Sequence, residues 1–311
     1  MTFTLAPLGR LLALTPRALT PLALLAAGLA LVVPSRQVAG RSDVLLAVLV
    51  LATALGISAG ELAGLRRHAG AVAVLSVVPL VVLAVLSWVI GRLFGGDVRD
   101  GLLAVGLSSS EVAAVGLVAL AGADATVALG AVTGSLVLAA IAGPAAIGLL
   151  AGHAGRGGSG HLLARFALVV ILPLAVGVAL RSSGTAARRL RALDPQREGV
   201  AALAVAALVY AALSGTDGAH GLAPALAASV LLLAASAVPG ALWWRLRPGP
   251  TGVPGLLVIP MRDFAVAAAL AAQAFGNRAG AVPGVYGVVM LLGGSLAAGV
   301  LARRRRAEAE R

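Results

Sequence analysis

Three ionisable residues stand where ionisable residues are costly. Glu111, Arg262 and Asp263 all lie inside long apolar runs. Arg262 and Asp263 are neighbours in VIPMRDFAVAAALAAQAF, residues 258–275, well inside a run that begins near residue 251. A charge at the middle of a bilayer costs on the order of 2.5–3.5 kcal/mol on insertion scales, so such residues mark functional sites by default. Arginine keeps its proton, and its planar fork suits carboxylates and oxyanions. Desolvation favours a proton on a carboxyl group, whereas a nearby arginine favours ionisation. Two acids against one guanidinium leave one surplus negative charge, which a proton or a cation can hold. An anionic solute competing with Glu111 or Asp263 for Arg262 would then couple two movements. Bland roles stand beside these. Arg262 can lock the core by pairing with Asp263 or Glu111, and Glu111 can serve only as a helix-capping acid.

The residues around these charges break helices. Pro260 removes a backbone donor and clashes with the preceding turn, so a helix kinks or stops there. Ser108 and Glu111, in SSSE at 108–111, have the spacing of a capping box, suited to restarting a helix. Ser108, Ser109 and Ser110 either satisfy backbone groups freed at the break or line a polar cavity. Such a break at membrane depth is tolerable only inside the protein or against a watery cavity.

The rest of the chain must carry these breaks across a bilayer. It is 60% hydrophobic and 12% charged, with a mean hydropathy of +1.01. A soluble domain has about a quarter of its residues charged. Apolar runs long enough for a helical span recur along the chain, and the period-two alternation of a β-barrel is missing. Ten spans are expected near 18–34, 43–63, 69–91, 101–122, 125–151, 161–181, 199–214, 221–244, 251–275 and 280–302. The first is expected to stay in the membrane, because no clear leader-cleavage pattern precedes it.

All 24 basic residues are arginine. On this span pattern sixteen of them fall on the side of both termini, seven fall on the other, and Arg262 lies within a span. The positive-inside rule then puts both termini in the cytoplasm of a multi-pass inner-membrane protein. The net charge of +12 is read as loop charge and contact with anionic lipid rather than with nucleic acid. There is no cysteine, hence no disulfide and no thiolate metal site. His68, His153, His161 and His220 lack metal-ligand spacing, and no metal or cofactor is expected.

Smaller features have structural readings. Asp124 reads as a loop or cap residue, and Glu61 as balancing the charge of Arg66 at an interface. Gln273 and Asn277 read as packing or turn residues, and Gly130 and Gly134 as a helix-packing pair. Trp88, Trp243 and Trp244 read as interfacial anchors.

The two charged breaks belong to matching stretches. GLSSSEVAAVGLVALAGADATVALGAVTGSL contains Glu111, and RDFAVAAALAAQAFGNRAGAVPGVYGVV contains Asp263. Superposing the two acids aligns a small-residue helix, a short polar break and a Gly-rich span in each. Each unit is the fourth and fifth span of a five-span half, so the halves must be inverted in the membrane. This is the pattern of secondary transporters whose sites lie at interrupted helices near the midplane. The expected fold is therefore all-α and polytopic, with about ten transmembrane helices in two inverted five-helix repeats and broken fourth and ninth helices. Residues 1–155 form the first repeat, 156–302 the second and 303–311 a basic cytoplasmic tail.

With these motifs the chain resembles the bile acid:sodium symporter family and its relatives, the arsenite permeases. The resemblance spans about the whole chain in span number and order. It implies a panel domain, a core domain with crossing broken helices, alternating access and small, mostly anionic substrates. The site departs from the family pattern. The symporters' Asn on the fourth helix falls at Val115, a Ser of the fifth at Gly130, a ninth-helix Glu at Val258 and a following Gln at Arg262. The permeases' fourth-helix Cys has no counterpart.

The expectation is a secondary active transporter, not an enzyme, moving a small anionic solute by alternating access, coupled to protons or sodium. Prenyl-transfer or protease chemistry would need Asp-rich metal motifs or a paired nucleophile and base, and the acids here lack that spacing. The other reading is a non-transporting membrane scaffold or sensor, although no soluble domain is there to carry a signal. No ATP-binding motif and no obligate protein partner is evident.

Overall fold

A computed structural model describes residues 19–150, 158–214, 222–249 and 251–309. The boundary between residues 155 and 156, His153, His220, Arg10, Arg17, Arg156, Arg311 and the side chain of Glu61 lie outside the described residues.

The described chain is helical throughout. In order, α1 is Leu19–Val32, α2 Ser42–Ala54, α3 Ala69–Gly91, α4 Gly96–Leu107, α5 Ala113–Leu120 and α6 Ala125–Leu150. Then α7 is Gly158–Phe166, α8 Leu172–Ser182, α9 Gly184–Ala192 and α10 Asp194–Ser214. Last come α11 Leu222–Leu246, α12 Val253–Val258, α13 Phe264–Ala274 and α14 Asn277–Ala309. A π-turn, Ala167–Ile171, joins α7 to α8. Residues 303–309 continue α14 as helix.

Among the described residues six helices are long and apolar enough to cross a membrane: Leu65–Gly91, Ala125–Gly148, Leu163–Ser182, Asp194–Ser214, Leu222–Leu246 and Asn277–Ala307. Three apolar helices are shorter, Leu19–Val32, Ser42–Ala54 and Phe264–Ala274. Apolar residues cover the outside as well as the core. Leu25, Val81, Leu172, Val238 and Leu296 are all more than half exposed. Water would penalise such a surface, while lipid tails accept it. The protein is a polytopic α-helical membrane protein.

Two groups of helices pack around different partners. In one, α10 lies against α1 and α2, and α2 against α8. In the other, α3 packs on α4 and α6, while α14 packs on α4, α11 and α13. Contact between α10 and α14 joins the groups.

Small residues set the closest approaches. A Cβ on Gly106 of α4 would overlap Ser87 and the Leu83 carbonyl of α3. One on Gly101 would overlap Ala279 and Val282 of α14. Gly130 and Gly134 do pack α6 on the chain ahead of it: added Cβ atoms would meet Leu65 and Val72, and Ser76, respectively. The half-helix α4 is thus pressed between α3 and α14, and its broken end falls in the interior.

Candidate functional site at the crossing of two interrupted helices

Both expected interruptions are present. One apolar segment is helical to Leu107 and resumes at Ala113; the other is helical to Val258 and resumes at Phe264. The two irregular stretches cross in the protein interior and pair as a single antiparallel bridge between Ser110 and Arg262. Across it Glu111 N donates to the Met261 carbonyl at 2.8 Å, and Asp263 N donates to the Ser109 carbonyl at 2.8 Å. Four helix ends meet here, and each leaves backbone groups without an intrahelical partner. The bridge lets the two breaks satisfy one another without water.

Hydroxyl groups take up more of the freed backbone. Ser108 Oγ donates to the Val105 carbonyl at 2.8 Å, closing the end of α4. Ser110 N donates to Ser135 Oγ on α6 at 2.9 Å, and that hydroxyl donates onward to the Val132 carbonyl. The capping-box expectation for Ser108 and Glu111 therefore needs correction. Helix α5 restarts only at Ala113, too far on for Ser108 to cap it, so the serine serves the preceding half-helix instead. Glu111 Oε1 accepts from Ala113 N at 3.4 Å.

Asp263 is the N-cap of α13. Its Oδ1 accepts from Ala265 N and Val266 N, each at 3.0 Å, and Ser109 Oγ donates to Oδ2 at 3.4 Å. A carboxylate at a helix N-terminus meets both unpaired N–H groups and the positive end of the helix dipole. Arg262 is fully buried, at 0% exposure. Its guanidinium donates to Ser110 Oγ at 3.4 Å and to the Gly106 carbonyl at 3.5 Å, at the carbonyl end of α4. Its Nε has no partner among the described residues, and neither does Glu111 Oε2.

No ion pair joins Arg262 to Asp263 or Glu111 among the described residues. The locking pair, the alternative structural role for Arg262, is thus not formed. Adjacent side chains on an extended segment point to opposite faces. Arg262 therefore turns toward α4 while Asp263 turns into the start of its own helix. The crossing thus holds a buried cation with long hydrogen bonds and one unused donor, and a buried acid with one unused oxygen.

Pro260 lies in the turn that ends α12, as its chemistry requires. Its carbonyl accepts a hydrogen bond from the buried Tyr286 hydroxyl of α14. After each second half-helix the chain turns at a glycine with positive φ, Gly122 at 67° and Gly276 at 110°. Left-handed backbone there ends a helix at little steric cost to glycine.

Sequence reasoning missed Ser135, Tyr286 and the carbonyl of Gly106. A lone serine nearly three turns into an apolar helix was the available signal for Ser135, since a buried hydroxyl needs a partner.

Elsewhere, Asp124 caps α6, with Oδ1 accepting from Thr126 N at 3.0 Å and Val127 N at 3.3 Å. No group of three potential metal ligands occurs among the described residues. Trp88 and Arg92 stack, with the guanidinium carbon 3.7 Å from the ring centroid. The Trp243 ring packs against Gly255, and its Nε1 is buried, so it is more than an interfacial anchor. Gln273 does more than pack. Its Nε2 donates to Asp43 Oδ1 at 3.0 Å, and Asp43 also takes the Arg165 guanidinium. The far end of α13 is thereby tied to α2 and α7.

A family model described as the SBF-like CPA transporter family (DUF4137) matches residues 22–246. That match includes the first interrupted helix with Glu111 and ends before Pro260, Arg262 and Asp263. No curated protein matches the chain. With apolar membrane-crossing helices, helices interrupted in the interior and a match over most of its length, the chain belongs to the SBF-like CPA transporter family, a family of membrane transporters.

Proposed function

We propose that this protein is a secondary transporter that moves a small anionic solute across the cytoplasmic membrane by alternating access. One observation carries the reading: a fully buried arginine with an unused donor sits at the crossing of two interrupted helices. A buried guanidinium held by only two long hydrogen bonds is expensive unless an anion or carboxylate meets it. The solute's anionic group takes the free edge of Arg262, while Ser109 and Ser110 supply hydroxyl donors. Glu111, with one oxygen unpartnered, carries the coupling ion, a proton or sodium. Asp263 holds the start of α13 in place.

On this reading the chain crosses the membrane ten times, as two inverted five-helix repeats, residues 1–155 and 156–302. Helices α4–α5 and α12–α13 are the broken fourth and ninth spans, and both termini are cytoplasmic. The paired interruptions, the glycine turns after each, and the arginine bias support this arrangement.

Uptake into proteoliposomes tests it, with organic anions and oxyanions screened under sodium and proton gradients imposed separately. We expect accumulation of an anion driven by one gradient, loss of uptake in Arg262→Ala and loss of gradient dependence in Glu111→Gln. Transport and coupling intact in both variants would overturn the site. An absence of transport for every solute would favour a scaffold or sensor.

A further inference from the structure

The arginines of α9 have no role in the crossing. Helix α9 connects the end of α8 to the start of α10, and it packs against both. The ends of those two helices are clamped. Arg181 donates to both Asp194 oxygens, at 3.0 and 2.8 Å, and Arg197 Nε reaches Asp194 Oδ1 at 3.2 Å. The clamp draws the end of α8 and the start of α10 together, and α9 lies between them. Ala187 is buried, Ala186 and Leu190 are half-buried, and Arg188, Arg189 and Arg191 are exposed. At helical spacing the arginines share one side and the apolar residues the other.

Among the described residues no acid pairs with the arginine side. Among the described residues Arg188, Arg189 and Arg191 enter no hydrogen bond or ion pair. The nearest acids are spoken for, Asp194 by Arg181 and Arg197, and Glu198 by Arg197. The short helix Ala59–Gly64 packs against α8 and leads into Arg66 and Arg67, both exposed. Three exposed guanidinium groups thus share α9, between the end of α8 and the start of α10.

We propose that α9 is a docking surface for the headgroups of anionic phospholipids in the membrane that holds the protein. Arginine pairs with phosphate through two parallel hydrogen bonds. A cluster of arginines beside a span end attracts anionic lipid by about 1 kcal/mol per residue. Placing the helix at the span ends puts these groups at headgroup depth, where a soluble acidic partner would compete with a far higher local concentration of lipid. The inference does not depend on what the crossing transports.

Native mass spectrometry of the full chain, released from micelles containing equal phosphatidylglycerol and phosphatidylcholine, tests it. The wild type should retain phosphatidylglycerol selectively. The triple variant Arg188→Gln, Arg189→Gln, Arg191→Gln should lose that selectivity by about tenfold or more, with its thermal midpoint in detergent unchanged because the side chains are exposed. Millimolar inorganic phosphate should not displace the lipid, which separates a bilayer ligand from a free anion. Replacing Arg303, Arg304 and Arg306 by glutamine should leave selectivity largely in place. Equal retention of the two lipids, an unchanged triple variant, or loss of selectivity only in the Arg303–Arg306 variant would each overturn the proposal.

Discussion

The two interrupted helices solve the same problem with different chemistry. At the first break, between α4 and α5, hydroxyl groups do most of the work: Ser108 closes α4, and Ser135 receives Ser110 N. At the second, between α12 and α13, charges do it. Asp263 caps α13, and Arg262 reaches across to the carbonyl end of α4. A hydroxyl can donate and accept, so the backbone of the first break is largely satisfied by its own neighbourhood, and only Glu111 Oε2 there lacks a partner. A charge must be answered by another group, so the second leaves an unused guanidinium edge. The family match covers the first break and stops short of the second.

Removing the cap at the charged break should do the most damage. In Asp263→Ala, two buried N–H groups lose their acceptor, and we expect a loss of about 3 kcal/mol, read from denaturant unfolding in detergent. Asp263→Asn keeps an acceptor oxygen and should recover more than half of that loss. If asparagine is as damaging as alanine, the charge rather than the cap holds the break.

Next comes Gly106→Ala, which drives a methyl group into Ser87 and the α3 backbone. It should cost about 2 kcal/mol in the same assay by overpacking. Its partner Gly116 on α5 has open space around it, so Gly116→Ala should be neutral or slightly stabilising.

Ser135→Ala probes the hydroxyl break directly. It strands Ser110 N in the interior, at a cost of about 1–2 kcal/mol. A change below about 0.3 kcal/mol would mean that the first break does not rely on its hydroxyls, and the contrast would fail.

The smallest effect is expected for Asp43→Asn. Its partners Arg165 and Gln273 are at the edge of the bundle, where such a pair contributes about 0.5 kcal/mol. Because this contact tethers α13 to α2 and α7, the variant should alter accessibility of a cysteine placed at Ala272 more than it alters stability. Thiol-labelling rates check that.

Much of this was legible in the sequence. Apolar runs of span length and a low charged fraction require a helical membrane protein, because a backbone in lipid must satisfy itself. Pro260 and the run of serines mark two places where helices stop, and the cost of charge in lipid singles out Glu111, Arg262 and Asp263. The resemblance drawn from those stretches led to a family that the match over residues 22–246 bears out. Misreadings came where local spacing was trusted to name partners. Ser108 and Glu111 have capping-box spacing, but the restart point depends on where the crossing strand lies, and that strand is distant in sequence.

The sequence by itself determined the solvent, the helical class and the positions of the two breaks, since these follow from hydropathy and from the limits of proline. Only the tertiary structure decided who meets whom at the breaks. It set Ser110 opposite Arg262, brought Ser135 and Tyr286 from other helices, and kept Arg262 apart from both acids. The reason is geometric. Adjacent side chains on an extended segment face opposite ways, so whether two neighbouring charges pair depends on what packs on each face, and that is settled by glycines and helices far along the chain.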